Sequence, residues 1–266
     1  MELTFSVIAL LLILGLLSGA ISAIAGIGGG VFFVSIMTLL FYIPINIAVD
    51  TSTFIILFSS FAGFITYLRQ KRTTLKLSLI FSGFSILGSI LATIIFSFVI
   101  VNNSILKLIF ALTLFVAGFN MIYKANKSKN QNNKQENNQI EFFFNIQDNK
   151  LNFKKSIPLF ILAGFTANLL GIGGGIINTP SLNIVLSFSI HNSTAISTSI
   201  IFFTAIYNTI IKSFFGRIDY LIGFIIVIGS IVGSILGAKF SKRIPKRLLQ
   251  YFVSGVLIVL ALRMLF

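Results

Sequence analysis

Apolar residues run through this chain in long unbroken blocks, not in the alternation of a half-buried strand or the one-sided stripe of a surface helix. Splitting at polar and turn-forming positions leaves five apolar segments in the first half, roughly 4 to 25, 31 to 43, 48 to 68, 77 to 98 and 104 to 123. Five more follow, at roughly 157 to 172, 176 to 189, 194 to 215, 220 to 238 and 247 to 265. A helix of about 20 apolar residues crosses a hydrocarbon core. The pattern therefore predicts an all-α polytopic membrane protein with no separate soluble domain. Between the halves, residues 124–156 hold nine Asn and seven Lys with almost no aliphatic pattern, which reads as a solvated linker. The expected organisation is a first transmembrane repeat over 1–123, the linker over 124–156, and a second repeat over 157–266. The first apolar segment has neither a basic flank nor a small-x-small cleavage site, so it reads as a retained helix and not a secretory signal.

The halves resemble each other. Gly26 to Gly30 spell GIGGG, and Gly171 to Gly175 repeat the string at an offset of 145. Ala48 to Ser52 (AVDTS) pair with Ala195 to Ser199 (AISTS) at 147, and Gly88 to Leu91 (GSIL) with Gly233 to Leu236 at 145. Three matches in order at a near-constant offset indicate duplication of one five-segment unit.

Charge gives the unit a direction. In the first half the loop between the third and fourth segments carries Arg69, Lys71, Arg72 and Lys76, while the next loop, Val101 to Ser104, carries none. The second half reverses this. Its last loop holds Lys239, Lys242, Arg243, Lys246 and Arg247, and the preceding one only Lys212, Arg217 and Asp219. Basic loops stay cytoplasmic, so equivalent loops face opposite sides and the expected repeats are inverted. Both termini then lie outside and the linker inside. A net charge of +14 is accounted for by these loops, and nucleic acid is not an expected partner.

The second segment of each half, Val31 to Ile43 and Ile176 to Ser189, is short for a span and follows directly on a glycine cluster. Such a break at matching positions of inverted halves predicts discontinuous helices meeting near the bilayer midplane. Helices starting after Gly28, Gly29, Gly30 and after Gly173, Gly174, Gly175 leave their first N–H groups unpaired and accessible, a partial positive charge suited to an anion. Thr51 and Ser52, with Thr198 and Ser199, are read as opening the third segments, where a hydroxyl caps a helix or donates to an oxyanion. Asn178, in the first turn of its short helix, offers an amide donor. No basic side chain is expected deep in a span, so the anion rests on helix N-termini and hydroxyls. Asp50, whose counterpart is Ser197, reads either as an N-cap at the outer surface or as a coupling-ion site. His191 sits at a turn on the cytoplasmic side and reads as incidental.

Catalytic readings lack support. A nucleotide-binding glycine loop needs a soluble strand and a Lys or acidic partner that are not present. The absence of cysteine excludes disulfides and thiolate metal sites. No metal site, cofactor or enzyme activity is expected. An alternative to transport is a channel or a structural membrane protein whose glycines serve close helix packing. A third reading, a proton or cation translocator built on Asp50, lacks an acidic partner in the second repeat.

The duplicated GxGGG, with Pro180 five residues beyond Gly175 and an AxxTS motif further on in each half, resembles the sulfite exporter TauE/SafE family over both halves of the chain. That resemblance implies a multi-pass plasma-membrane transporter of small anions, chiefly sulfur oxyanions and organosulfonates such as sulfite and sulfoacetate. By position the family motif falls on Gly26, Gly28, Gly29 and Gly30, on Gly171, Gly173, Gly174, Gly175 and Pro180, and on the two Thr-Ser pairs. Ser35 stands where the first repeat would carry the proline.

Overall fold

A computed structural model describes residues 4–98, 102–127, 150–215, 217–241 and 246–265. Among these residues every regular element is helical, and each apolar segment becomes helical. The first half forms α1 (Phe5–Ala25), α2 (Gly30–Leu39), α3 (Ile45–Arg69), α4 (Leu75–Phe98) and α5 (Asn103–Lys127). The second forms α6 (Lys150–Leu170), α7 (Gly175–Pro180) with a π-helical turn at Ser181–Val185, α8 (Ile190–Phe214), α9 (Tyr220–Phe240) and α10 (Lys246–Leu265). Six of them, α1, α3, α4, α8, α9 and residues 103–122 of α5, are long and apolar enough to cross a membrane. Helix α5 continues to Lys127 and α6 begins at Lys150, so both run into residues the sequence assigned to the linker. Once the apolar part has nucleated the helix, each polar residue added gains a backbone hydrogen bond without a new nucleus. The rest of the expected linker, 128–149, lies outside the described residues.

Helices α3 and α8 are mostly buried, while α1, α4 and α5 turn most of their surface outward. Their content explains the difference. Leucine dominates α1, whereas α3 and α8 are studded with Ser and Thr whose hydroxyls bond back to carbonyls three or four residues earlier, as with Thr53 to Asp50 O and Thr204 to Ile200 O. That return bond satisfies a hydroxyl away from water.

The partners exchange between halves. Helix α1 packs on α9 and α6 on α4, so the first helix of each unit lies against the fourth of the other; α3 pairs with α8 and α5 with α10. Glycines make the crossings close. A Cβ on Gly233 would overlap the Leu16 carbonyl, and one on Gly88 would overlap that of Ile161. The repeated GSIL motif is thus close helix packing, the small-residue contact usual in membranes. Left-handed backbone repeats at the same spacing, at Gly26, Gly28, Gly29 and Tyr42, then at Gly171, Gly173, Gly174 and Ser187.

The third helices begin at Ile45 and Ile190, after Pro44 and Ser189. Thr51, Ser52, Thr198 and Ser199 therefore do not open their segments and cap nothing. Ser189 does the capping in α8, accepting from the Asn192 N–H at 3.3 Å. The apolar periodicity hid this, because a polar first turn merges with the loop before it.

Candidate functional site

Helix α1 stops where Gly26 turns left-handed (φ 67°), its N–H bonded to Ser22 O at 2.8 Å. Gly29 (φ 71°) then caps α2, its carbonyl accepting from Phe32 and Phe33 N–H. The second half repeats the arrangement: Gly171 closes α6 through Ala167 O, and Gly174 (φ 74°) caps α7 by accepting from Ile177 and Asn178 N–H. A side chain is strained at such φ values, so glycine is required here by backbone geometry. The amides of Gly28 to Val31 and of Gly173 to Ile176 donate to no backbone acceptor among the described residues.

The two breaks meet, as expected, but backbone against backbone. A Cβ on Gly30 would overlap Gly171 O, and one on Gly175 would overlap Gly26 O. A Cβ on Gly28 would stand 2.9 Å from Ile172 O and 3.3 Å from Gly173 Cα. The expected open cradle between the clusters is replaced by a closed crossing. Its glycines also serve packing, because only bare backbone lets two chains approach so closely.

Hydroxyls hold the crossing shut. Ser52 Oγ lies 2.7 Å from Gly171 O and 2.8 Å from Val49 O. On the other side Ser197 Oγ donates to Gly26 O at 2.8 Å and Thr179 Oγ1 to the same oxygen at 2.9 Å. From the sequence, Ser197 has no role beyond being the counterpart of Asp50; the signal that marks it is a polar residue opposite a motif position. The other three hydroxyls also have protein partners. Thr51 accepts the Asp219 N–H at 3.0 Å, Thr198 donates to Thr194 O at 2.9 Å, and Ser199 donates to Ala195 O and reaches Thr73.

Asn178 differs from them. It is fully buried in the first turn of α7, and neither its amide nitrogen nor its oxygen has a hydrogen-bond partner among the described residues. Buried polar groups are nearly always bonded. Pro180, the last residue of α7, lacks an N–H, which contributes to the change to π-helical bonding just after it. Ser35, at the corresponding place in α2, is buried, and its hydroxyl has no hydrogen-bond partner among the described residues.

Cavities flank the crossing. One of about 80 Å³ is lined by Ile27, Gly175, Thr179, Pro180, His191 and Thr194. A wider cleft of about 390 Å³ is lined by Val49, Asp50, Thr93, Asn168, Lys212 and Arg217. The two sit at opposite ends of α8: His191 and Lys212 are 21 residues apart in one helix, about 31 Å at 1.5 Å per residue.

Three expectations need correction at these ends. Asp50 is not a surface N-cap; it is buried within α3, with Oδ1 2.9 Å from Lys212 Nζ and Oδ2 3.4 Å from Arg217 Nε. Lys212 is not a loop residue, since it lies in α8 with its side chain 6% exposed. A basic side chain is therefore buried in a long apolar helix, which the expectation of none had excluded. The carboxylate explains how: a buried ammonium is tolerated when paired. His191 belongs to the first turn of α8, and its carbonyl accepts from Arg72 Nη2 at 2.5 Å.

Arg72, in the loop between α3 and α4, forms the matching latch at the opposite end. It is buried, donates to Ser241 Oγ at 2.6 Å, and stacks 4.7 Å from the Tyr67 ring centre. Burial lowers the affinity of its guanidinium for a proton, and the neighbouring Tyr67 opposes that effect. Arg72 and Arg217 are 145 positions apart, the offset of the glycine clusters. Each carries its charge back to the start of the other half's third helix.

The model of the family described as sulfite exporter TauE/SafE matches residues 11–264. A probable membrane transporter protein of Bacillus subtilis, YunE, is 25% identical over 83% of this chain and 84% of its own length. A second from that organism, YdhB, is 28% identical over 83% and 85%. A probable membrane transporter protein of Methanocaldococcus jannaschii is 29% identical over 74% of this chain and 69% of its own. No solved structure gives a significant match.

Proposed function

From the premise that this chain belongs to the sulfite exporter TauE/SafE family and is a multi-pass membrane transporter, we propose that it moves small anions across the plasma membrane by alternating access. The substrate class is sulfur oxyanions or short organosulfonates such as sulfite and sulfoacetate. The observation that carries this reading is the crossing of two broken helices in the interior, with unbonded N-terminal amides and a fully buried, unpaired Asn178 beside them. Amides at helix starts and an amide side chain donate to an oxyanion and hold it without a fixed positive charge. Such a site releases its cargo readily, as transport requires.

The crossing is the barrier in this conformation. The cavity at Gly175 and the cleft at Val49 approach it from opposite ends of α8, so opening one contact while the other stays closed gives each side access in turn. The basic loops place the Arg72 end in the cytoplasm with the linker, and the Arg217 end outside. On this assignment the exchanged helix pairs are the two halves of an inverted repeat.

The test separates transport from packing. Purified protein in proteoliposomes is expected to take up labelled sulfite with saturation, and linear, non-saturating flux would indicate a channel. Asn178→Leu is expected to cut flux at least tenfold while leaving thermal unfolding in detergent unchanged or slightly raised. Replacing an unsatisfied buried polar group by an apolar one of similar size is near neutral or stabilising. Full flux in Asn178→Leu would assign the glycine crossing to packing alone.

A further inference from the structure

The outer cleft holds three charged groups that the crossing does not use. We propose that it is an anion-docking site in which Lys212 and Arg217 bind a small oxyanion, and Asp50 is the resident counter-ion that the solute displaces. The proposal rests on the anion reading above and adds to it a second, charged station and a way of coupling that station to the barrier.

Charge is the first argument. Two cations face one carboxylate among the residues lining the cleft, a surplus of one positive charge. The second is incomplete bonding. Lys212 Nζ is buried and lies 2.9 Å from Asp50 Oδ1, which engages one of the three N–H groups of an ammonium and leaves donor capacity for a second acceptor. Arg217 reaches Asp50 through Nε at 3.4 Å and is 51% exposed, which leaves its guanidinium open to the cleft. The volume of about 390 Å³ admits an oxyanion with part of its hydration shell.

The third argument is that an arginine latch at this place does not need a carboxylate; Asp50 is required by the buried Lys212, and a bound oxyanion can take over that pairing. At the equivalent place in the other half, Arg72 docks on the start of α8 through the His191 carbonyl and the Ser241 hydroxyl, both neutral. Asp50 is therefore a chemical addition to a latch that works without it. An oxyanion with two or more oxygens can bridge Lys212 and Arg217 as the carboxylate does, so displacement never strands the buried ammonium. A monoatomic halide bridges less well. Released, Asp50 lies two residues from Ser52, whose hydroxyl holds Gly171 O at the crossing. Movement of that turn of α3 transmits docking to the barrier.

The experiment is calorimetric titration of the detergent-purified protein with sodium sulfite, with sodium methanesulfonate and with short-chain phosphatidylglycerol. Wild type is expected to bind the two free anions, and Arg217→Gln to bind them at least tenfold more weakly. Asp50→Asn, which removes the competitor, is expected to bind them several-fold more tightly. Where that variant does not fold, the pair Asp50→Asn with Lys212→Met keeps the core neutral and is expected to lose binding as Arg217→Gln does. Affinities within twofold of wild type in Arg217→Gln and in the pair overturn the docking site while leaving the transport reading intact. Saturation by phosphatidylglycerol but not by free anions also overturns it, in favour of a lipid contact. Neither binding nor flux of any anion in wild type overturns the transport reading itself.

Discussion

Gly30→Ala is expected to reduce anion flux on the order of a hundredfold, since a displacement of about 1 Å in a working constellation has an effect of that size. The added methyl would overlap Gly171 O and stand 2.7 Å from both Ile172 Cα and Ile56 Cδ1. Two of those three atoms are backbone held by a break that cannot rotate away, so the crossing must part. Overpacking of this kind lowers stability by about 3 kcal/mol. Gly175→Ala meets Gly26 and Ile27 in the same way and is expected to match it. Gly83→Ala and Gly255→Ala are the controls, because a Cβ at either meets nothing within 4 Å. Both lie inside helices, where alanine is favoured over glycine by up to about 1 kcal/mol. Flux per folded molecule and thermal unfolding should therefore drop together at the crossing and stay level or rise at the controls. Equal flux in all four variants would remove the crossing from the transport path.

The second large effect is expected at Asp50. Asp50→Ala leaves Lys212 as an uncompensated buried cation with Arg217 beside it. Removing one partner of a buried pair costs about 3–5 kcal/mol. A loss of that size should appear as a steep fall in the unfolding temperature in detergent. Removing both charges together, Asp50→Ala with Lys212→Met, is expected to recover most of it, because neither desolvated ion remains. The double-mutant cycle is the measurement that separates pairing from local packing. If Asp50→Ala is as stable as wild type, the ammonium is reaching water and the cleft is wetter than its 6% side-chain exposure implies.

The two ends of α8 differ in a way that bears on direction. The Arg72 latch is buried and made with neutral partners, and Tyr67 adds a bond from its hydroxyl to Ala23 O at 2.6 Å. The Arg217 latch is half exposed and ionic. An exposed ionic contact is sensitive to competing anions and to salt, whereas a buried neutral one is not. On the proposed docking at Lys212 and Arg217, the Arg217 latch is the one that an anion would open.

Much of the fold was legible because lipid enforces a simple rule. Backbone must be satisfied within each segment, so a long apolar run has to be a helix; all ten segments became helical, though α6 starts at Lys150 and the segment from Ile176 divides into α7 and a π-helical turn. The duplication was legible for a similar reason. Glycines stand at φ values that strain most other residues, and the two clusters share an offset of 145. The helix starts were less legible. Asn46 falls before the third segment as hydropathy bounds it, and Thr51 reads as opening that segment, yet α3 begins at Ile45, because burial among helices rewards polar turns that find partners.

The sequence by itself determined the helical segments, the likeness of the two halves and the two breaks, since each follows from local rules of hydropathy and backbone freedom. Only the tertiary structure decided that the breaks press together, that Ser52 and Ser197 hold each other's opposite glycine carbonyls, and that Asp50 meets Lys212 and Arg217. Those contacts join residues more than 110 positions apart, and no local pattern encodes them. They arise when antiparallel α3 and α8 bring the start of one helix to the end of the other.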